Sequence, residues 1–185
     1  ESVVMAGVSF VASKMAENSG EVLKRDVDKL PSTKQYDMEV SLKDIKYKNK
    51  VEKTAEELNS FWDSKGYDNP PYKTNTVAYN FELSKKAEFV RVYDDVHSGI
   101  KGQFVMKLEE ITKADGSLLT AQQIKDKFAL EYLPTKIAKV EIPAGTKMNC
   151  GIAGKIEGWG LGGGIQFDLN YTNTGIFTFW KNIQY

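Results

Sequence analysis

Cysteine and histidine are almost absent from this 185-residue sequence, which contains one of each, Cys150 and His97. A single cysteine cannot form an internal disulfide, and the pair supplies too few donors for a zinc site. Cys150 alternates with apolar neighbours, a pattern that favours a small buried side chain over a nucleophile. His97 lies in the polar segment DDVHSG, which is typical of a solvated loop. We therefore expect no metal site and no bound cofactor.

An excess of charge of one sign is also missing, because 25 Lys and Arg residues balance 25 Asp and Glu residues. The protein therefore lacks the overall positive field that attracts a nucleic-acid duplex, and we expect no such partner. No apolar run reaches the roughly 20 residues of a membrane-spanning helix. The opening segment lacks the basic start of a standard signal peptide. Because the sequence begins at Glu1 without methionine, we expect a domain cut from a longer polypeptide.

Arginine is scarce as well, since only Arg25 and Arg91 accompany the lysines. Arginine holds a phosphate or carboxylate through two parallel hydrogen bonds, which lysine cannot do. Arg25 lies in the charged run KRDVDK, which is typical of a solvated segment, whereas Arg91 lies in the apolar segment EFVRVYDD. The sequence thus singles out Arg91 as a candidate anion ligand, with pairing to Glu82 or Asp94 as the structural alternative.

The order of the predicted elements indicates an α+β fold. Residues 1–50 read as an N-terminal helix followed by a connector or arm, and residues 51–185 as the main domain. Two capping boxes predict helices, one from Thr54 with Glu57 and one from Thr120 with Gln123. Segments rich in β-branched and aromatic residues after residue 75 predict a compact, largely antiparallel sheet, into which the second helix is inserted.

Two local predictions concern less regular segments. The alternation at Met38–Leu42 predicts a short strand. A turn at Asn173–Gly175 separates GIQFDLNY from IFTFWKNI, and this spacing predicts a C-terminal β-hairpin.

The glycine-rich segment GWGLGGGIQFDL, residues 158–169, matches neither common phosphate-binding motif. It lacks the Gly-Lys-Ser/Thr of a Walker P-loop, and it precedes a strand where a dinucleotide fingerprint follows one. A metal-independent ribonuclease needs a base, an acid and a cation, and His97, Lys127 and Arg91 are candidates for these roles. Carboxylate pairs of the glycosidase type are not selected by any spacing in the sequence.

A family resemblance covers roughly residues 55 to 170 and is carried by five segments in order. These segments are FVRVYD, SGIKGQFVM, TAQQIKDKFAL, IAKVEIPAGTKMNCGIAG and GGGIQF. Their order resembles the C-terminal toxin domains of bacterial polymorphic toxins, and among these the tuberculosis necrotizing toxin type of NAD glycohydrolase. The Gly-Gly-Gly-x-Gln-aromatic element, which Gly162–Phe167 match fully, is the most specific part.

The resemblance implies roles for particular residues. Arg91 corresponds to an arginine that binds the NAD phosphates or ribose, and Gln166 to the glutamine near the ribose. Phe104 falls where the family usually has a tyrosine beside the nicotinamide. Lys127 falls near a second arginine of the family, keeping its charge but losing its two-bond geometry. The remaining implied substrate contacts are Ser98, Gly163 and Gly164, the glycines leaving backbone room for a dinucleotide.

The resemblance implies a secreted or delivered effector that hydrolyses NAD(P) to nicotinamide and ADP-ribose (phosphate), with NAD as substrate and no cofactor. It also implies a cognate immunity protein that covers the cleft in the producing cell. Two alternatives stay open, a ribonuclease toxin of the same delivery type and a mono-ADP-ribosyltransferase. A non-catalytic binding or delivery role is a further interpretation for residues 1–50.

Overall fold

The computed structural model describes residues 33–185, and the predicted N-terminal helix within residues 1–17 lies outside this range. The chain divides into two compact units, residues 1–40 and 41–185. The boundary that we expected after residue 50 stays a prediction. Of the first unit the structure describes most of one helix, α1, Thr33–Ser41.

The expected strand at Met38–Leu42 is wrong, because α1 covers most of this segment. Met38, Val40 and Leu42 alternate as in a strand, but Met38 and Leu42 are also four residues apart, which suits one face of a helix. A short apolar pattern of this kind does not discriminate between the two structures.

Both capping-box helices are confirmed. In α2, Ala55–Ser64, the Thr54 hydroxyl accepts a hydrogen bond from the Glu57 amide at 3.1 Å, and the Glu57 carboxylate accepts one from the Thr54 amide at 3.2 Å. The inserted helix α3, Ala121–Phe128, begins in the same way at Thr120 and Gln123. A short 3-10 helix, Leu108–Ile111, precedes α3. Each box satisfies backbone donors that a helix start would otherwise leave unpaired.

Two antiparallel sheets form the core of the second unit, so the mixed α+β prediction is confirmed. In the residues the structure describes, the strands are β1 Tyr47–Thr54, β2 Val77–Leu83, β3 Ala87–Tyr93, β4 Phe104–Val105, β5 Lys136–Ile142, β6 Lys147–Ile152, β7 Ile165–Asp168 and β8 Ile176–Asn182. One sheet has the order β1-β2-β6-β7-β4 and the other the order β3-β5-β8. A backbone bridge between Val90 and Met106 links β3 to the residue after β4.

The expected C-terminal hairpin is wrong, because β7 and β8 belong to different sheets. β7 pairs with β4 and β6, whereas β8 pairs with β5. Asn170 and Tyr171 follow β7 after Leu169, and both have positive φ, at 53° and 59°. Two consecutive left-handed residues turn the chain away from β7 before a hairpin can form.

The strand β1 was not expected, since residues 21–53 read as charged and irregular. The segment of β1, YKNKVEKT, is polar, and it is held as a strand by its antiparallel pairing with β2. β2, β6 and β7 are the interior strands of this sheet, and β6 and β7 are almost wholly buried. From these interior strands, Gln166 of β7 reaches the cavity of the candidate site.

Candidate functional site

Arg91 lies on β3 without a carboxylate partner among residues 33–185. Its Nε donates to the carbonyl oxygen of Gly99 at 3.2 Å, and its Nη1 donates to that of Phe104 at 3.1 Å. The two carboxylates considered from the sequence are engaged elsewhere. Glu82 contacts Lys48 at 3.3 Å, and Asp94 contacts His97 at 2.8 Å. Arg91 is half-buried, and burial lowers the pKa of its guanidinium.

Gly102 makes room for the Arg91 guanidinium. A Cβ atom built on Gly102 would lie 2.2 Å from Arg91 Cζ, so any larger residue would displace the charged group. The guanidinium of Arg91 is therefore held by the carbonyl oxygens of Gly99 and Phe104, and it fits because Gly102 has no side chain. Sequence reasoning did not single out Gly102, although in the segment SGIKGQF it lies two residues before Phe104.

Gln166 lies on β7 and is 5% exposed. Within the described part of the chain, its side-chain amide forms no hydrogen bond. Gln166 lines a cavity, so its amide is available to a polar group that enters it. The backbone of Gln166 is fixed by its pairing with Gly151 of β6.

Arg91 and Gln166 line the same cavity, which has a volume of about 290 Å³. Phe104 and Ser98, two further residues singled out from the sequence, line it as well. Tyr67, Tyr132 and Trp159 contribute aromatic side chains that sequence reasoning missed. The volume lies at the low end of small-molecule pockets.

Phe104 is fixed by an aromatic cluster on one wall of the cavity. Its ring centroid lies 4.9 Å from that of Trp62 and 5.9 Å from that of Tyr67. Trp62 is fully buried and lies on α2, so the confirmed capping-box helix supports this wall. Such tilted contacts between rings add to the stability of packed aromatic groups.

The turn at Asp94–Ser98 also lines the cavity and is more ordered than a solvated loop. Asp94 Oδ1 accepts hydrogen bonds from the amides of Val96, His97 and Ser98 at 2.9, 2.8 and 3.0 Å. Asp94 Oδ2 lies 2.8 Å from His97 Nδ1. Burial raises the pKa of Asp94, but these hydrogen bonds lower it by more and hold it well below its usual range. Asp side chains often accept hydrogen bonds from backbone amides two or more residues further on, so Asp94 in DDVHSG was a turn signal that the sequence did contain.

The His97 ring stacks on Tyr132 with the ring centroids 3.5 Å apart and an interplanar angle of 8°. Tyr132 lies in the segment between α3 and β5, so this stack joins two separate loops at the cavity. His97 was expected to be a solvated loop residue. Its side chain is 44% exposed, yet it is held by both a carboxylate and a ring.

Lys127 does not line this cavity. Its Nζ donates to the carbonyl oxygen of Glu110 at 2.6 Å and lies 3.6 Å from Glu110 Oε1. The place implied for a second cation by the resemblance is therefore not supplied by Lys127. Lys127 of α3 is directed at the 3-10 helix, where its positive charge pairs with Glu110.

Gly163 and Gly164 also lie outside the cavity lining. Gly163 contributes to a separate cavity, and its neighbour Gly164 packs on Phe128, whose Cε1 would lie 2.6 Å from a Cβ built on Gly164. A Cβ on Gly160 would lie 2.6 Å from the carbonyl oxygen of Asp126. The glycines thus let their loop approach the end of α3 closely. Gly164 therefore has a packing role, whereas the expectation that Gly163 and Gly164 leave backbone room for a dinucleotide stays a prediction.

Comparison with family models, with curated proteins and with solved structures found no match. No helix within residues 33–185 is long and apolar enough to cross a membrane. In the same range, no three His, Cys, Asp or Glu side chains are grouped as metal ligands.

Proposed function

We propose that this protein hydrolyses NAD(P) to nicotinamide and ADP-ribose (phosphate). The observation that supports this proposal is the convergence of Arg91 and Gln166 in one aromatic-lined cavity. Arg91 has no carboxylate partner and Gln166 has no side-chain partner among the described residues. A ligand that satisfies both must offer an anion and a hydroxyl or similar polar group close together. A dinucleotide offers a pyrophosphate beside a ribose.

Arg91 is suited to hold the pyrophosphate. Its Nε and Nη1 are engaged by backbone carbonyls, which leaves Nη2 for an incoming oxygen. The half-buried guanidinium has lost part of its hydration, so a phosphate regains more interaction energy here than at a fully exposed arginine. Arg91 would hold the pyrophosphate that NAD and NADP share, and within residues 33–185 no second arginine lines this cavity to select for a 2′-phosphate. The proposal therefore covers both NAD and NADP.

The aromatic walls are suited to the nicotinamide ring. Phe104, Tyr67 and Trp159 line the cavity and present flat apolar surfaces. In the reaction the C1′–N bond breaks and its electron pair goes to the ring nitrogen, so the positively charged ring leaves as a neutral molecule. An apolar wall accommodates the neutral product better than the cation and favours departure.

Gln166 is suited to the ribose. Its amide can pair with a ribose hydroxyl and direct its carbonyl dipole at the positive charge that develops on the sugar. Because an amide does not ionise, this contribution is independent of pH. The contribution of Gln166 thus relies on its position and on its dipole.

The wider role in this proposal is that of a secreted effector delivered into a target cell as part of a larger bacterial protein. In the producing cell, a cognate immunity protein would cover the cavity. Both statements rest on the resemblance described from the sequence.

A metal-independent ribonuclease is the second candidate. It is favoured by the contact of Asp94 with His97 in the same cavity as Arg91, which supplies a base and a cation. The acid considered from the sequence, Lys127, is engaged by Glu110 outside the cavity. Mono-ADP-ribosyl transfer is the third candidate and differs from hydrolysis in its acceptor.

The deciding experiment incubates the purified protein with NAD, NADP and total tRNA in separate reactions. We expect nicotinamide release that a chelator does not abolish. Gln166→Ala and Arg91→Ala should each lower this rate about 100-fold, as the loss of a transition-state contact does. Gln122→Ala, at an exposed position of α3, is the matched control and should be as active as the wild type.

Cleavage of tRNA with NAD left intact would overturn the proposal in favour of a ribonuclease. Nicotinamide release that occurs only when a protein acceptor becomes modified would favour ADP-ribosyl transfer.

A further inference from the structure

The pair formed by Asp94 and His97 has the geometry of a proton-accepting group. The Nδ1 atom of His97 lies 2.8 Å from Asp94 Oδ2, so the carboxylate fixes the ring tautomer with the proton on Nδ1. The second ring nitrogen, Nε2, is then the basic atom. It has no hydrogen-bond partner among residues 33–185, and its ring lines the cavity of Arg91 and Gln166.

The orientation of the ring is set from two further directions. The backbone amides of Val96, His97 and Ser98 hold Asp94 Oδ1, so the carboxylate cannot rotate freely. The flat stack on Tyr132 fixes the plane of the imidazole. A solvated surface histidine has none of these restraints, whereas a histidine that transfers protons needs them.

The charge of the pair argues against a role in binding phosphate. Because the hydrogen bonds keep Asp94 ionised at neutral pH, the pair carries a charge of −1 with neutral His97 and 0 with protonated His97. It is never positive overall and therefore attracts an anion poorly. A group that changes from −1 to 0 is suited to receive a proton, and its negative state also favours a nearby cation.

We infer that His97 is the general base that deprotonates the attacking water, with Asp94 and Tyr132 as positioning residues. This inference rests on the proposed hydrolysis of NAD(P). As the C1′–N bond breaks and nicotinamide leaves, the water oxygen forms a bond to C1′. The water proton moves to His97 Nε2, and the imidazolium later releases it to solvent. The sum is NAD⁺ plus water giving ADP-ribose, nicotinamide and one proton.

Other charged or titratable groups face His97 from the elements around it, and a pH profile must be interpreted with them. They are Asp94 and Asp95 on its own turn, Lys136 of β5 paired with Asp95 at 3.8 Å, Arg91 and Tyr93 of β3, and Tyr67, Glu131 and Tyr132 lining the same cavity. The pH profile is assigned to His97 if the His97 variants abolish it, because those variants leave the other titratable groups in place.

The test measures nicotinamide release by wild type, His97→Gln and His97→Gly between about pH 5 and pH 9. We expect wild-type kcat to fall at the acid end, where histidines gain a proton. His97→Gln should lower kcat by about tenfold or more at pH 7.5, leave KM within about twofold, and lose the acid limb. Added imidazole should restore part of the rate to His97→Gly, because it can occupy the vacated space as a base.

Gln166→Ala is the matched control for rescue and should not respond to imidazole. Asp94→Asn should also lower kcat, since an amide does not hold the same tautomer. Thermal unfolding of every variant shows whether its loss of rate comes from loss of structure. The imidazole rescue of His97→Gly then decides, because unfolding is not reversed by a small base.

Three results would overturn this assignment. One is wild-type kcat and pH profile in His97→Gln together with no imidazole effect in His97→Gly. Another is a raised KM with unchanged kcat, which would make His97 a binding contact. The third is the absence of nicotinamide release by the wild type, which would overturn the proposed function and the base with it.

Discussion

Two buried polar side chains lie two residues apart on β7, and their surroundings differ completely. Gln166 is 5% exposed and Asp168 is 0% exposed. Asp168 accepts hydrogen bonds from four donors, which are Trp62 Nε1 at 2.9 Å, Tyr72 Oη at 2.5 Å, Asn149 Nδ2 at 2.8 Å and the Asn170 amide at 2.8 Å. Gln166 forms no side-chain hydrogen bond within residues 33–185. Because side chains alternate along a strand, both point to the same face of the sheet.

The difference separates a polar group that holds elements of the fold together from one whose amide has no partner among the described residues. The four donors come from α2, the segment after it, β6 and the turn after β7, so Asp168 ties these parts together. Burial raises the pKa of Asp168, which the hydrogen bonds oppose without reversing it. Two residues away, Gln166 contributes nothing comparable to the fold. Four variants test this contrast, from the largest expected effect to the smallest.

Asp168→Ala should destabilise the fold most, because it leaves four buried donors without an acceptor. Each unpaired buried group costs about 1–3 kcal/mol, so we expect the free energy of unfolding to fall by at least about 3 kcal/mol. Urea denaturation measures it. Gln166→Ala is the control and should lower this free energy by less than about 1 kcal/mol. Equal losses in both variants would show that Gln166 is structural and would remove the contrast.

Gly102→Ala should lower activity without removing any functional group. The new methyl would lie 2.2 Å from Arg91 Cζ and push the guanidinium away from its two carbonyl acceptors. We expect about a tenfold slower release of nicotinamide, and a free energy of unfolding within about 1 kcal/mol of wild type. Gly99→Ala is the matched control, since the nearest atom to its Cβ is 3.9 Å away. Full activity in Gly102→Ala would mean that the place of Arg91 is unimportant.

Asp94 should make the stability of the cavity wall dependent on pH. Its pKa is lowered in the folded state from the usual 3.8, so its stabilisation is complete above that pH and is lost as pH falls further. Between about pH 6 and pH 2.5, Asp94→Asn should therefore lose about 1 kcal/mol less stability than wild type. Urea denaturation at several pH values measures the slope. Asp95→Asn is the control, and an identical slope in Asp94→Asn and wild type would contradict the prediction.

Lys127→Met should have the smallest effect, since Lys127 is engaged by Glu110 outside the cavity. We expect nicotinamide release within about threefold of wild type, which corresponds to less than about 0.7 kcal/mol. Arg91→Lys, in the cavity, should lose more, because an ammonium is a compact point charge and lacks the planar fork that reaches both carbonyls and a phosphate. A Lys127→Met variant as slow as Arg91→Lys would contradict this prediction and would show that Lys127 contributes to the reaction.

The parts of the fold that the sequence predicted correctly depend on residues close together in the chain. The capping boxes at Thr54 and Thr120 need only three following residues, and the interior strands carry their own apolar pattern. The partner of β8 could not be predicted in this way. Its pairing with β5 is decided by packing across the molecule, and Asn170 and Tyr171 give little sequence warning of positive φ.

The candidate site shows the same division. Arg91, Phe104, Gln166 and Ser98 were named from the sequence and lie around one cavity. Their chemical roles remain predictions. Lys127 was named because its charge matches that of the second arginine of the family. Such a match does not reveal that Lys127 pairs with Glu110 outside the cavity. The contribution of Tyr132 depends on a stack with His97 across two loops, which no local pattern encodes.

The bridge between Val90 and Met106 has a consequence for how the molecule unfolds. Arg91, next to this bridge, belongs to the three-stranded sheet, whereas Gln166 and Phe104 belong to the five-stranded one. Any molecule that contacts Arg91 and Gln166 together is a cross-link between the two sheets. Occupancy should then make the sheets separate at one temperature, so that a bound ligand sharpens the thermal transition as well as raising its midpoint.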